Sequence, residues 1–398
     1  MRVWAFAARS LARQPGRTGL GVVGVAAVGA LLFDMLLLSR GLVVSLRELL
    51  ESAGFDVRVM STDMPFAASD ITAASAAVAA MRRLPEVEEV VPLLFGEATA
   101  AGRDGRPLEL TLFGAETGRR SPWTILEGEG LAAPAGSSPL IVNRNLARAL
   151  SLAPGTSVDL RGACRDGAKA LPAFRFVVAG IAEFPFDEAA ALTGATTLAD
   201  FRRACGLEGR DEADLLLVAS REGYGPSRAV EAIRALRPDL HAFSNEELVA
   251  RFQQVGFSYF RQISTVLSTV TLLFGFLLIT VLLTVSVNQR YAEIAALRAL
   301  GFTRKRIVLD VLCQAVLLVG AGGLLSLPIG IALSTWLDAI LKAMPEIPAR
   351  VSFFVFEPRA VATHLSLLAL TALLAALYPM RLVSRLPIAA TLRSESVT

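Results

Sequence analysis

Two long stretches of this chain, Gln262–Gln289 and Val311–Leu337, contain no charged side chain. A helix of about 20 predominantly apolar residues crosses the hydrocarbon core of a bilayer, and such runs have few other fates. Reading for apolar runs of about 18 residues or more gives four candidate spans: Thr18–Leu38, Ile263–Val287, Ile307–Leu337 and Val361–Met380. The third is longer than one span needs, and Gly320, Gly322, Gly323, Pro328 and Gly330 give it places to bend or pack closely. With 54% hydrophobic residues, the composition excludes an ordinary soluble protein.

Charge placement orients the spans. Arg2, Arg9, Arg13 and Arg17 precede the first span. Arg290, Arg298, Arg304, Lys305 and Arg306 lie between the second and third, and Arg381, Arg385 and Arg393 follow the fourth. Basic residues collect on the cytoplasmic side, so these regions and both termini are expected there. The long segment between the first two spans is then outside. The net charge of +3 is too small to suggest a nucleic-acid partner. The basic start followed by an apolar run also fits a signal peptide. The run is too long and lacks a small-residue cleavage site, so an uncleaved anchor is expected.

Residues 1–17 read as a cytoplasmic amphipathic lead-in, and residues 18–53 as the first span with an outward helical extension ending near Gly54. Residues 54–243 alternate strand and helix patterns. Strands are expected at Asp56–Met60, Glu88–Leu94, Leu108–Phe113, Pro139–Val142, Phe174–Ile181 and Asp214–Ala219. Helices are expected at Asp70–Leu84, Arg144–Leu150, Leu198–Cys205 and Ser227–Leu236. The fold class is therefore an α-helical membrane protein with four transmembrane helices and an α+β extracytoplasmic domain between helices 1 and 2. Ser244-Asn245-Glu246-Glu247 is a capping box, from which one unbroken helix is expected to run through the second span.

Between spans two and three, residues 288–301 form a short helix pattern. Ile294, Leu297 and Leu300 share one face, Arg290, Glu293 and Arg298 supply charge at helical spacing, and Gly301 stands where the helix would end. Held at one membrane face, such a helix is a docking surface; a basic helix lying on anionic headgroups would explain the arginines but not Glu293. The run Arg290, Glu293, Ile294, Leu297-Arg298-Ala299-Leu300-Gly301 resembles the R-x-x-E-I-x-x-L-R-A-L-G stretch of FtsX/MacB-type (type VII) ABC-transporter permeases. Tyr378-Pro379-Met380-Arg381 and Pro387 through Arg393 resemble that family's tail, without its usual acid.

The resemblance implies a MacB-like periplasmic core at 54–243 and an FtsX-like permease domain at 244–398. It implies that residues 288–301 are the coupling helix that rests on a separate cytoplasmic ABC ATPase, which binds the ATP and magnesium. It implies a second permease copy, membrane lipid and a periplasmic partner as neighbours in a bacterial inner membrane. The expected activity is mechanotransmission, exporting or extracting a lipoprotein, peptide or lipid-like cargo. Alternatives are an FtsX-like regulator of cell-wall hydrolases, or a receptor or scaffold that needs no ATPase.

The chain has no G-x-x-x-x-G-K-[ST], so no cofactor or ATP site of its own is expected. Gly19, Gly21 and Gly24 spell G-x-G-x-x-G inside a span and read as helix-packing positions. With His241 and His364 the only histidines, neither a histidine metal site nor a hydrolytic triad is expected. Asp34 lies deepest of the polar groups at membrane depth and is expected to line a dimer interface. Asp310, Gln314 and His364 are read as reaching water or a polar partner. Cys164 and Cys205 are available for a disulfide, or for two free thiols. Met64-Pro65-Phe66 and Phe184-Pro185-Phe186 read either as contact points or as turns packed on the core.

Overall fold

The computed structural model describes residues 3–64, 69–103, 105–132, 137–162, 171–254, 258–289, 294, 303–344, 348, 350–356 and 358–384. The chain divides into two compact units, one of residues 1–42, 258–340 and 352–398, the other of residues 43–257 and 341–351.

Two helices open the chain, α1 (Val3–Ala12) and α2 (Pro15–Ser52). Pro15 occupies the first position of α2, where a missing N–H leaves no bond unmade. Gly54, just past its end, takes a left-handed φ of +72° that a β-carbon would oppose.

The second unit is built on a sheet. Its first half comprises β1 (Val57–Met60), β2 (Ile71–Thr72), α3 (Ala74–Met81), β3 (Val87–Ala101), β4 (Pro107–Ala115), β5 (Thr124–Gly128), β6 (Pro139–Asn143) and α4 (Arg144–Leu150). Its second half comprises β7 (Ser157–Gly162), β8 (Phe174–Glu183), β9 (Thr193–Thr197), α5 (Leu198–Ala204), β10 (Glu212–Ala213), β11 (Leu215–Ser220), α6 (Pro226–Leu236), β12 (His241–Ser244) and α7 (Asn245–Gln254). Ten strands form one sheet in the order β12-β1-β11-β3-β4-β9-β6-β8-β5, with β7 pairing β3 and β8. Most pairings are antiparallel, while β4–β9 and β6–β8 are parallel.

Period-two alternation sends successive side chains to opposite faces. Val57, Val59, Leu216 and Val218 meet Ala77, Met81, Val230 and Ile233 of α3 and α6. Farther along the same face, Leu112, Leu140, Val142 and Phe176 meet Leu146 of α4 and Phe201 of α5. The approach of α5 is close: a β-carbon on Gly114 would lie 2.5 Å from that of Phe201. Caps fix the short helices locally. Asn143 Oδ1 accepts the Leu146 N–H at 2.8 Å, and Thr197 Oγ1 accepts that of Asp200 at 3.1 Å.

The helices therefore cover one face of the sheet. On the other face Leu46 and Leu50 of α2 and Leu248 and Val249 of α7 pack on Met60 and Phe243, while Trp123, Leu131 and Phe184 pack on Leu93, Ala195 and Leu217.

The first unit is helical, with α8 (Ser258–Asn288), α9 (Arg304–Lys342) and α10 (Pro358–Ser384) beside α1 and most of α2. Four helices, α2 and α8–α10, are long and apolar enough to cross a membrane. Their pairing directions are legible from close approaches. A β-carbon on Gly21, Gly29 or Gly330 would meet Leu318, Ser326 or Phe33, so α2 and α9 run parallel with matched steps of four residues. Gly24 faces Leu278 and Gly275 faces Val28, so α8 runs antiparallel to α2. Gly323 faces Leu368 while Ser326 bonds His364, so α10 runs antiparallel to α9. Small residues at Gly322, Ser326, Gly330 and Ser334 let the α2 and α9 backbones approach.

Several expectations need correction. Residues 244–288 contain α7 and α8, and the expected continuity of one rod turns on residues 255–257, which lie outside the described residues. The boundary between the units falls at the same place. The capping box itself forms: Glu247 N–H donates to Ser244 Oγ at 3.1 Å, and Ser244 N–H to Glu247 Oε2 at 3.4 Å. The predicted helix at Asp70–Leu84 is shorter, because Ile71–Thr72 pairs with β10. Strand β9 escaped prediction because Thr193-Gly-Ala-Thr-Thr has no alternation; it is buried by its position between β4 and β6. Of the glycines in the G-x-G-x-x-G, Gly21 and Gly24 pack against helices and Gly19 has nothing within 4 Å.

Candidate functional site

The uncovered part of the sheet face forms a groove of about 850 Å³. Its floor is read directly from register. On β3 and β4, Phe95 lies opposite Phe113, and Glu97 lies opposite Thr111, with Glu109 one pair farther on the same face. Thr193 of β9 pairs with Thr111. The walls are aromatic: Phe113 stacks on Phe184 with centroids 5.8 Å apart, Phe95 meets Phe113 edge-on at 5.3 Å, and Trp123 tilts on Phe184 at 5.4 Å. Ala53 and Leu248 close the end nearest β1.

The groove is electrically lopsided. Glu97, Glu109, Asp187 and Glu188 line the end where β3 finishes and β4 and β9 begin. Asp214 accepts the Phe95 N–H at 2.7 Å. Asp187 accepts bonds from Thr193 Oγ1 and Asn143 Nδ2, both at 2.6 Å. Burial raises the Asp187 carboxyl above the ordinary range, against those two donors. Arg58, at the opposite end, is buried at 4% exposure. Desolvation pushes its guanidinium down to about 10, while neighbouring Asp56 opposes that fall. It remains cationic at neutral pH.

Beside this groove the α9–α10 connection is tied down. Pro348 forms a β-bridge with Glu188, and Arg350 Nε lies 3.5 Å from Glu183 Oε1. Among the described residues, no group of three or more His, Cys, Asp or Glu side chains is placed to hold a metal ion.

The sequence-predicted docking residues Arg290, Glu293, Leu297, Arg298, Leu300 and Gly301 lie outside the described residues. Ile294 is described and buried, in a cluster with Val287, Ile307, Val311 and Met380 at the ends of α8, α9 and α10. Nearby, the Arg17 guanidinium bonds the Gln289 side chain and donates to the Leu282 carbonyl at 2.9 Å.

Asp34 calls for a correction. Its side chain is fully buried within the chain, where Ser334 Oγ of α9 donates to Oδ1 at 2.7 Å, so it does not face a second copy. The close packing that admits Gly330 and Ser334 draws α9 over it. His364 is likewise fully buried, 2.8 Å from Ser326 Oγ and beside Phe33. Gln314 Nε2 donates to Asp310 at 2.8 Å, four residues away on the same helix.

Cys205 is disulfide-bonded, Cys313 is free and buried, and Cys164 lies outside the described residues. Phe184 is core and Phe186 is 40% exposed at the groove, so that turn is both packed and presented. Met64 is exposed, and residues 65–68 are not described. The groove residues were hard to find in the sequence. Leu93, Phe95, Glu97 and Glu109, Thr111, Phe113 do alternate, but alternation does not say which face stays open.

The model of the MacB-like periplasmic core domain matches residues 18–236, and that of the FtsX-like permease C-terminal domain matches residues 265–388. Among solved structures, the chain is similar to the periplasmic region of MacB from Actinobacillus actinomycetemcomitans. That likeness is 9% identity and TM-score 0.37, over 52% of this chain and 98% of that one. It is also similar to a domain described as that of a permease protein from Porphyromonas gingivalis, at 16% identity and TM-score 0.31, over 47% and 87% of the two chains. No curated protein matches. A sheet-bearing domain matched along its length, joined to four apolar helices whose last three carry the second match, makes this a membrane permease with a mixed α/β periplasmic domain. The chain belongs to the FtsX/MacB-type family of ABC-transporter permeases.

Proposed function

We propose that this chain is the membrane half of an ATP-driven machine, taking its power stroke from a separate cytoplasmic ATPase through residues 288–301. The observation that carries this reading is Ile294. Its side chain is buried among Val287, Ile307, Val311 and Met380, so a push on that segment reaches the ends of α8, α9 and α10 together. The charged residues around it, Arg290, Glu293 and Arg298, supply the polar half of a docking surface.

The alternating directions of α2, α8, α9 and α10 support four successive crossings. They bring Arg17, Arg304, Lys305, Arg306 and Arg381 to one end, which the positive-inside tendency makes cytoplasmic. The sheet unit is then periplasmic. Exposed Ile263, Val266, Val270, Phe274 and Val281 on α8 suit lipid and the helices of a second copy. The work delivered is mechanical, moving a lipoprotein, peptide or lipid-like cargo handled by the periplasmic unit.

The test is copurification in mild detergent of the intact chain beside Glu293→Lys and Leu297→Asp variants. The expected result is an ATPase subunit that accompanies the wild type and is lost from both variants. A wild type that brings down no ATPase overturns the reading and leaves an ATPase-independent receptor.

A further inference from the structure

We propose that the groove on the open sheet face holds one acyl chain of a phospholipid. The proposal deepens the lipid-like cargo named above and rests on that reading. It draws on one compact unit and on nothing in the docking segment.

Recognition falls to the apolar part of the lining, because most of the charged groups there are engaged within the chain. Arg58 is held by Asn245 and the Leu50 carbonyl. Asp187 is held by Thr193 and Asn143, Asp214 accepts the Phe95 N–H, and Glu97 has a partner of its own. An apolar strip runs between these groups. Its wall is Trp123 and Phe184, and Phe95 and Phe186 stand 38% and 40% exposed along it. Large apolar side chains left in water at a concave surface mark a place where another apolar body sits. A chain laid over them removes that surface from water along its own length.

The strip has the length of a lipid chain. Met60 of β1, Leu215 of β11, Leu93 of β3 and Phe113 of β4 line it on neighbouring strands. Leu215 stands opposite Leu93, and Phe95 opposite Phe113. Strands lie about 4.8 Å apart, so the three spacings from β1 to β4 give about 14 Å. The hydrocarbon core of a bilayer is about 30 Å thick, so the chains of one leaflet reach about 15 Å. Toward β9 the lining turns polar at Thr111, Thr193 and Asp187, which ends the strip. A sheet twists by about 20° per strand, so a strip across it curves; a flexible chain follows that curve and a rigid ring system does not.

The other end of the strip points to the membrane as the source. It is closed by Ala53, which directly follows α2, and by Leu248 of α7, the element before α8. Both α2 and α8 are long and apolar enough to cross a membrane. The polypeptide thus runs from this end of the groove into two membrane helices, and lipid is the apolar chain at hand.

The test uses the intact chain in phosphatidylcholine nanodiscs, with palmitoyl lysophosphatidylcholine as the probe: one acyl chain on a zwitterionic head, soluble as a monomer. Phe186→p-benzoylphenylalanine places a photocrosslinker at the groove. Leu236→p-benzoylphenylalanine, at a 39% exposed site on α6, is the control, since α6 packs on the covered face of the sheet. Intact mass after irradiation reads the product. The expected result is a saturable adduct of one probe molecule at position 186, about tenfold above position 236. Adding Phe95→Glu or Phe95→Lys should lower that yield about tenfold, because either charge would be buried under the chain. Phe95 is partly exposed, and unchanged thermal unfolding of the variants shows that the fold survives. The proposal is overturned if no probe adduct forms at 186, if yield rises linearly with probe, or if 186 and 236 label alike. It is equally overturned if both charges leave the yield unchanged, or if lysine raises it, which would make the attraction electrostatic. No ATPase takes part. A lost adduct with copurification intact strikes the groove alone, and lost copurification with the adduct intact strikes the coupling reading alone.

Discussion

Arg58 and Asn245 meet in the interior of the sheet unit, the guanidinium donating to the amide oxygen across 187 residues of chain. A second Arg58 nitrogen donates to the Leu50 carbonyl at 3.2 Å, and Asn245 Nδ2 donates to the Phe55 carbonyl at 3.0 Å. One buried side chain thus pins the end of α2, the start of β1 and the first residue of α7. Those are the points from which the chain leaves for the first and second membrane helices.

Arg58→Met is expected to destabilise the unit by about 3 kcal/mol, because it strands the Asn245 oxygen and the Leu50 carbonyl in the interior. Arg58→Lys should recover little, since one ammonium cannot reproduce the planar fork that reaches both acceptors. Thermal unfolding followed by Trp123 fluorescence measures both; a lysine variant as stable as wild type would refute the dual tether.

Helix packing predicts a matched pair of outcomes. A β-carbon on Gly322 would lie 2.6 Å from Val25 Cγ1, whereas one on Gly320 meets nothing within 4 Å. Gly322→Leu should cost several kcal/mol or abolish folding, and Gly320→Leu should stay within about 1 kcal/mol of wild type. Protease resistance in detergent separates them, and equal behaviour would mean that α2 and α9 are not packed as described.

Ser334→Ala removes the 2.7 Å donor to Asp34, leaving a buried carboxylate short of a partner. A loss of about 1–3 kcal/mol is expected. Because Asp34 lies inside one chain, the oligomeric state of Ser334→Ala should not change. Size-exclusion light scattering reads that state, and a shift in mass would place Asp34 at a subunit contact after all.

Two carboxylates should give opposite pH signatures. The Ser75 hydroxyl and amide donate to Asp211, which is held below the ordinary carboxylate range chiefly by the hydroxyl. Its folded value lies below its unfolded one, so its contribution is present above the unfolded value and lost as pH falls through the folded one. Asp211→Asn should therefore lower stability at neutral pH and converge with wild type in acid. The effect is small because Asp211 is largely exposed.

Asp187 is raised by burial, so the sign reverses: its contribution is present below the unfolded value and lost as pH rises through the folded one. Asp187→Asn should flatten the decline from acid toward neutral pH. Unfolding midpoints across a pH series test both, and parallel curves for the two variants would contradict the assigned environments.

Much of the architecture was legible before any coordinates. The four apolar helices, the strands near Asp56, Glu88, Leu108, Pro139 and Phe174, and the capping box at Ser244 all lie where local chemistry placed them. These are properties of short windows: a run too apolar for water, an alternation too regular for a loop, a hydroxyl and a carboxylate spaced for reciprocal caps. Residues 288–301 carry a helical pattern of the same local kind, and of the residues expected to dock there only Ile294 is among the described ones.

The groove and the partner of Asp34 were not legible, because neither is a local property. The floor residues Phe95 and Phe113 alternate like any amphipathic strand. Their face is open only because α3, α4, α5 and α6 all return to the opposite side of the sheet. Asp34 was expected at a dimer interface from its depth in the span; its donor lies 300 residues away on a helix that packs in parallel. Hydrophobic windows and caps dictate which elements form. Which faces they cover, and which buried polar atoms find partners, is settled only when elements far apart in the chain close against one another, because burial and hydrogen bonding act through space.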